Sequence, residues 1–316
     1  MKILLIQPDY LRHAPTPQEL SEHLLPSYSL ILLSEILQNA GHQVRVLDNW
    51  SNWILSGKTS ENDLSQGLKN ILEKENFDLV GISVYTPLRK EAVELARLTK
   101  ELSPRTKIVF GGPHPSRLWQ TMLEAYKPEL DFVLKGGADQ SLVELANNLE
   151  GKGVPRFRIP GLAWINDGKE VRSNSGPVIN LNLSAQTALK FNDYFAKASA
   201  DQLLRGYIVT SRGCKLWCNY CSQLWKKALY HHADRAVLEA KKLIHDFKAS
   251  ELVIYDDCLG MNPLHTAEIF QKISQFNNSS QLIGISHFKF LDRTWLEQFR
   301  QAGGKAIIIG LESGSS

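Results

Sequence analysis

Cysteine is scarce in this chain, with four in 316 residues, and three of them lie too close together for useful loop closure. That argues against a disulfide framework. Long apolar runs are missing too: none approaches the ~20 residues of a membrane-spanning helix. Neither sign of charge dominates. Lys and Arg number 36 against 33 Asp and Glu, and a formal charge of +3 is too small to argue for nucleic acid or an anionic membrane. There is no internal repeat, low-complexity tract or charge block. The opening Met1-Lys-Ile-Leu-Leu-Ile6 is superficially like a signal peptide, but it is short and leads to Gln7-Pro8-Asp9 rather than a small-residue cleavage site. It reads as a first strand, and a cytoplasmic location, where thiols stay reduced, is expected.

What is present is an ordinary globular composition, 43% hydrophobic and 22% charged, with room for two domains. Strands are expected at 2–6, 44–47, 79–84, 107–110 and 131–134, with helices at 29–40, 64–75, 91–102 and 141–149. Strict alternation, with strands apolar on both faces, means a parallel sheet covered on both sides. Residues 1–150 thus form a Rossmann-like, flavodoxin-like domain. Ligands of such sheets bind beyond the carboxyl ends of the strands. Those ends read Gln7-Pro-Asp-Tyr10, Val84-Tyr-Thr-Pro87, Gly111-Gly-Pro-His-Pro-Ser116 and Lys135-Gly-Gly-Ala138. Any one of them is explained as a tight turn; four on one edge favour a site where a flat ligand meets the backbone.

Residues 151–202 read as a connector, with a hairpin signal at Asn166-Asp-Gly168. From 203 to 316 a second series begins, with strands at 207–210, 252–255, 282–285 and 306–309 and helices at 236–248, 267–276 and 294–302. Polar residues end the strands: Ser211-Arg212, Asp256-Asp257, Ser286-His287 and Glu312-Ser313. This is the active-site face of a TIM-type parallel barrel, whole or partial.

The densest chemistry is Cys214-Lys-Leu-Trp-Cys218-Asn-Tyr-Cys221, three cysteines within eight residues. Three thiolates so spaced can hold an iron–sulfur cluster while leaving one iron open to a small molecule. They also suit a zinc site completed by His231 or His232, or serve as small buried hydrophobes. On spacing alone all three readings stand.

The pattern CxxxCxxC with an aromatic before the third cysteine resembles the radical S-adenosylmethionine (SAM) enzymes. With Val80-Gly-Ile-Ser-Val-Tyr-Thr-Pro87, Val109-Phe-Gly-Gly-Pro-His-Pro115, Thr210-Ser-Arg-Gly-Cys214 and Ile309-Gly-Leu-Glu-Ser-Gly314, nearly the whole chain looks like the cobalamin-binding radical SAM family. The resemblance implies a Rossmann-like cobalamin domain followed by a partial (βα) barrel. It implies a [4Fe–4S] cluster on Cys214, Cys218 and Cys221, with Tyr220 placing its backbone against the adenine of SAM. Asp256 and Asp257 lie where relatives hold the SAM amino group, one of them being equally a helix cap or a surface charge. Gly310 and Glu312 would line the nucleoside pocket, Glu312 being equally a structural ion-pair partner. Tyr85, Thr86, Gly111, Gly112, Gly136 and Gly137 would edge the cobalamin site.

The departures are specific. Gly136-Gly137-Ala138-Asp139 stands where relatives carry Gly-Glu-Gly-Glu, His232-Ala-Asp-Arg235 replaces Arg-Ser-Pro-Glu, and no Asp-x-His-x-x-Gly supplies a lower cobalt ligand. The fourth barrel strand ends close to Ser316, whereas a six-stranded barrel needs two further βα units. A fragment, a naturally shortened protein or a partner chain completing the barrel is expected, with 306–309 as an apolar edge strand. The resemblance implies an enzyme that cleaves SAM reductively to a 5′-deoxyadenosyl radical, for methyl transfer or rearrangement at an unactivated carbon. An organic substrate and an electron donor such as flavodoxin or ferredoxin would be its partners. A non-catalytic corrinoid or cluster binder and a zinc-stapled α/β protein are the competing expectations.

Overall fold

A computed structural model describes residues 1–8, 27–48, 64–166, 168–172, 205–221, 227–277 and 279–311. The chain divides into two compact units, the first holding the described residues up to Arg172 and the second those from Arg205 onward.

The first unit is built on β1 (Lys2–Ile6), β2 (Gln43–Leu47), β3 (Leu79–Ser83), β4 (Lys107–Gly111) and β5 (Phe132–Leu134). These are parallel in the order β2-β1-β3-β4-β5, the flavodoxin-like arrangement, whose switch point lies between β1 and β3. Alternate side chains enter two separate cores. Leu4, Ile6, Val80, Ile82, Ile108 and Phe110 face one. Ile3, Leu5, Leu79, Val109, Phe132 and Leu134 face the other. Helices α2 (Leu64–Leu72), α3 (Arg89–Leu102) and α4 (Pro113–Ala125) cover the first face. Helices α1 (Tyr28–Asn39) and α5 (Asp139–Leu149) cover the second. The five strands agree with the sequence reading to within a few residues because most are near-continuous apolar runs, whereas α4 is not expected from the sequence, its start lying in the Gly111-Gly-Pro-His114 stretch that reads as a turn.

The expected hairpin is formed by β6 (Leu162–Asn166) and β7 (Lys169–Arg172), but it is not a free connector. It extends the first sheet: β6 lies antiparallel on β5, pairing Val133 with Ala163 and Leu134 with Leu162. Trp164 and Leu162 complete the second core, so the first unit runs well past residue 150. Gly161 makes the entry possible. Its φ is +71°, and a Cβ there would stand 2.5 Å from the Lys135 carbonyl oxygen.

The second unit holds β8 (Arg205–Ile208), β11 (Glu251–Leu259), β12 (Gln281–Ser286) and β13 (Gly304–Ile309), parallel and adjacent in chain order. Strands that add in one direction, with α6 (Ala233–His245), α7 (Pro263–Ser274) and α8 (Arg293–Gln301) between them, are the start of a barrel rather than a doubly wound sheet. Phe270, Trp295 and Phe299 lock α7 to α8, with ring centroids 5.2–5.3 Å apart. Among the described strands β13 pairs only with β12, and its Ile308 is 55% exposed. A small ribbon, β9 (Ser211–Arg212) against β10 (Leu229–Tyr230), completes the unit. No helix among the described residues is long and apolar enough to cross a membrane.

Candidate functional site: a pinned cysteine loop and an open sheet edge

The cysteine loop leaves the carboxyl end of β8 and returns as β10, which pairs antiparallel with β9 and donates the His231 N–H to the Thr210 carbonyl at 2.9 Å. A two-strand ribbon therefore closes the base of a loop that carries all three clustered thiols. Gly213, immediately before Cys214, turns the chain at φ +84°, a conformation open to glycine. Within the loop the Cys221 N–H donates to the Cys218 carbonyl at 3.1 Å, and the Leu216 N–H points to the Cys214 sulfur at 3.4 Å.

Strand β11 anchors this loop. Its pairing with β12 jumps from Ile254–Gly284 to Leu259–Ser286, so the stretch carrying Asp256, Asp257 and Cys258 bulges out of register. Bulges of this kind re-aim side chains beside functional sites. Asp256 is enclosed and fully committed. Oδ1 accepts the N–H groups of Thr210 (2.6 Å) and Ser211 (3.1 Å), and Oδ2 accepts their hydroxyls at 2.5 and 2.7 Å. Burial pushes its carboxyl up, opposed by these four hydrogen bonds. The expectation that Asp256 itself meets the SAM amino group is therefore corrected: it holds the chain entering the cysteine loop. Asp257 is exposed and uses one oxygen, Oδ2, for the Gly213 N–H at 2.6 Å. Of the two it is the one open to a ligand.

Tyr220 and Trp217 stand out on the loop, 66% and 76% exposed. Cys221 is exposed, and Cys214 and Cys218 are half-buried. Cys258 is buried against Cys214, Ala228 and Met261, and burial pushes its thiol up to about 12. Gly310 is exposed at the end of β13; Glu312 lies outside the described residues. Neither histidine joins the thiols. His231 is enclosed, its ring nitrogens without a hydrogen-bond partner, and burial lowers it to about 3. His232 begins α6 as its N-cap. Among the described residues no three His, Cys, Asp or Glu side chains gather tightly enough for a single metal ion. A tetrahedral zinc ion draws its ligands to within about 2.3 Å of one centre, whereas a [4Fe–4S] cluster takes its thiolates on separate irons. The buried Tyr230 hydroxyl, orphaned in the wall that also holds Cys258, adds an unmet donor on that side.

In the first unit the carboxyl ends of β3, β4 and β5 are knitted together. The Val84 N–H donates to the Gly111 carbonyl (2.7 Å) and the His114 N–H to the Val84 carbonyl (3.1 Å). The Ser116 hydroxyl donates to the Gly112 carbonyl (2.6 Å) and accepts from the Gly136 N–H (2.8 Å). Thr86 Oγ1 lies 3.1 Å from His114 Nδ1, and burial with the neighbouring Arg89 lowers that histidine. A Cβ at Gly111 would meet nothing within 4 Å, so open space lies beside its backbone, whereas Gly112 at φ +100° is packed 3.0 Å from the Val84 backbone. Tyr85 is 44% exposed on this edge, and Gly136 (φ +78°) and Gly137 open the turn into α5. An open, glycine-lined backbone with few charges fits a flat corrin ring. His114 and Ser116 were visible only as letters of the Gly-Gly-Pro-His-Pro-Ser run; their bridging role needed the register of β3, β4 and β5. Arg235 was likewise unannounced: it is buried and donates from Nε to Glu239 at 2.9 Å along α6.

The B12 binding domain family model matches residues 21–146. An uncharacterized methyltransferase of Pyrococcus horikoshii is 25% identical across the whole of this chain, which spans 66% of that protein's length. In fold, the chain is similar to the radical SAM methyltransferase TsrM of Kitasatospora setae, solved with tryptophan and a SAM analog. The TM-score is 0.77 and identity 19%, over 98% of this chain and 59% of TsrM. It is similar also to OxsB, a cobalamin-dependent SAM radical enzyme solved with aqua-cobalamin and SAM, at TM-score 0.76 and 17% identity over 99% of this chain and 44% of OxsB. The chain thus spans about two thirds or less of the length of these relatives. Residues 21–146 thus match the B12 binding domain family, and the chain, with its parallel, cysteine-bearing second sheet, shares the fold of these solved radical SAM proteins.

Proposed function

We propose that this chain, alone or as part of a longer protein, is a cobalamin-dependent radical SAM enzyme acting in methyl transfer or rearrangement at an unactivated carbon. The observation that carries the reading is the CxxxCxxC loop, ribbon-closed at its base and tied to bulged β11 through Asp256 and Asp257. When bound, the [4Fe–4S] cluster supplies the electron that cleaves the sulfonium of SAM, and cobalamin supplies the methyl-transfer or rearrangement chemistry.

The chain's own residues do the holding. Cys214, Cys218 and Cys221 would bind the cluster, and reduced thiols at all three suit a cytoplasmic location. Asp257, with one oxygen uncommitted to Gly213, would accept from the SAM ammonium. Tyr220 would meet the adenine, and Gly310 with Glu312 the nucleoside. Tyr85, Thr86, Gly111, Gly112, Gly136 and Gly137 would seat the corrinoid. An organic substrate, an electron donor such as flavodoxin or ferredoxin, and a further segment or chain completing the barrel are the partners this reading requires.

The test is anaerobic reconstitution. Wild-type protein should bind iron and acid-labile sulfide in equal amounts and release 5′-deoxyadenosine from SAM under reduction, and the triple Cys→Ala variant at 214, 218 and 221 should do neither. Stoichiometric zinc in place of iron, or full iron retention in the triple variant, would sink the proposal.

A further inference from the structure

His287 follows Ser286, the last residue of β12, at the sheet end that also carries the cysteine loop and Asp257. Its half-buried ring is held in two ways. Nδ1 accepts the Lys289 N–H at 3.2 Å, capping the short helical turn Phe288–Phe290, and the ring stacks on Phe288 with centroids 4.2 Å apart. A backbone N–H can only donate, so Nδ1 must keep its lone pair. In the neutral imidazole the proton then sits on Nε2. No other hydrogen bond to this ring is made among the described residues. The fold thus sets an N–H donor of fixed tautomer at the end of β12.

The register brings that donor beside Asp257. Ile254 to Leu259 of β11 runs against only Gly284 to Ser286 of β12, so bulged Asp257 lies level with the last residues of β12. The Ser286 hydroxyl donates to the Leu259 carbonyl at 2.6 Å and fastens the two strand ends together. Asp257 spends Oδ2 on the Gly213 N–H, and its other oxygen remains an acceptor. An α-amino acid carries its ammonium and its carboxylate on one carbon, and neighbouring strands stand about 4.8 Å apart. An acceptor on one strand end and a donor on the next match such a zwitterion. We propose that His287 donates its Nε2–H to the carboxylate of SAM while Asp257 accepts from the ammonium, so that the pair grips the amino-acid end of the molecule. The inference rests on the reading of this sheet end as the SAM site. A hydrogen bond to an ionised carboxylate is of the stronger, charge-assisted kind.

The experiment measures equilibrium binding of SAM and of decarboxylated SAM, which keeps ammonium and sulfonium but lacks the carboxylate. Both are titrated into cluster-loaded wild type, His287→Asn and His287→Ala. Asn retains an acceptor for the Lys289 N–H and so preserves the cap, but its amide nitrogen falls short of the Nε2 position. Iron per chain and melting temperature in the Asn variant should match wild type. Affinity for SAM should fall roughly tenfold or more in both variants, while affinity for decarboxylated SAM should hold. Equal losses for the two ligands would make His287 a merely structural residue and overturn the inference, with the cluster assignment left intact. Undiminished SAM affinity would hand the donor to the organic substrate and overturn it as well. Nitrogen NMR of wild type labelled at histidine tests the tautomer without any substitution, and Nδ1–H at His287 would also overturn it. A wild type that binds no SAM would overturn this inference together with the reading beneath it.

Discussion

Asp256 shows how much one side chain can organise. Its Oδ1 serves two backbone N–H groups, which can only donate, and its Oδ2 serves two hydroxyls, which can rotate and accept instead. Asp256→Asn, with its amide nitrogen turned to the hydroxyls, should therefore be mild. Asp256→Ala leaves two buried N–H groups unmet and should lower the unfolding free energy by roughly 3–5 kcal/mol. Urea denaturation of both variants checks the order; equal losses would show that the carboxylate's charge, not its acceptor geometry, matters. His231 makes a second residue-scale prediction. Its folded-state value of about 3 lies below its ordinary 6.5, because burial and the nearby Arg235 and Arg212 favour the neutral ring. Above about 6.5 the ring is neutral folded or unfolded and its contribution is fully present. As pH falls from 6.5 toward 3 only the unfolded chain takes up the proton, so stability drops by at most about 1.4 kcal/mol per pH unit. His231→Phe should flatten that part of the acid-unfolding curve. An unchanged slope would assign the acid sensitivity elsewhere.

Elements were legible in proportion to how fully they are buried. The runs at 2–6, 79–83 and 107–111 are apolar on both faces and gave their strands without ambiguity. β11 was read as ending at Tyr255 and in fact runs to Leu259, because its last residues alternate Asp256 and Cys258 inward with Tyr255 and Asp257 outward. Two adjacent aspartates look alike in a sequence; only the bulge separates the anchor from the open one. The hairpin was read correctly as a hairpin but assigned to a connector, since nothing local says which edge it will join. At the β4 end, two neighbouring glycines make opposite predictions. Gly112→Ala forces a side chain into φ +100° with Val84 backbone atoms 3.0 Å away, and should destabilise the first unit by about 1–3 kcal/mol. Gly111→Ala meets nothing within 4 Å, so stability should hold while hydroxocobalamin affinity falls, because the methyl enters the space the corrin would use. Thermal melts and equilibrium titration separate the two. Full affinity in Gly111→Ala would move the corrinoid away from this backbone.

Across the whole molecule, each unit gathers its chemistry at the carboxyl ends of parallel strands, the cysteine loop after β8 in one and the glycine turns after β3, β4 and β5 in the other. A hollow of about 880 Å³ lies at the opposite, amino-terminal edge of the first sheet, lined by Met1, Phe77, Asp78, Arg105, Lys107 and Glu150. It is shallow and ringed by charge, and parallel α/β sheets take their ligands at the other edge. The two edges can be distinguished without a bound structure. Hydrogen exchange with and without saturating hydroxocobalamin should slow at amides around 84–88, 111–116 and 135–139, where the turns lie, and leave 76–78 and 103–107 unchanged. At a ligand concentration one hundred times Kd, linkage predicts about 2.7 kcal/mol of added stability for the unit that binds. Protection confined to 76–78 and 103–107 would put the corrinoid in the amino-edge hollow. The glycine turns would then be structural, and the cobalamin half of the proposed function would have to be rebuilt on Arg105 and Lys107.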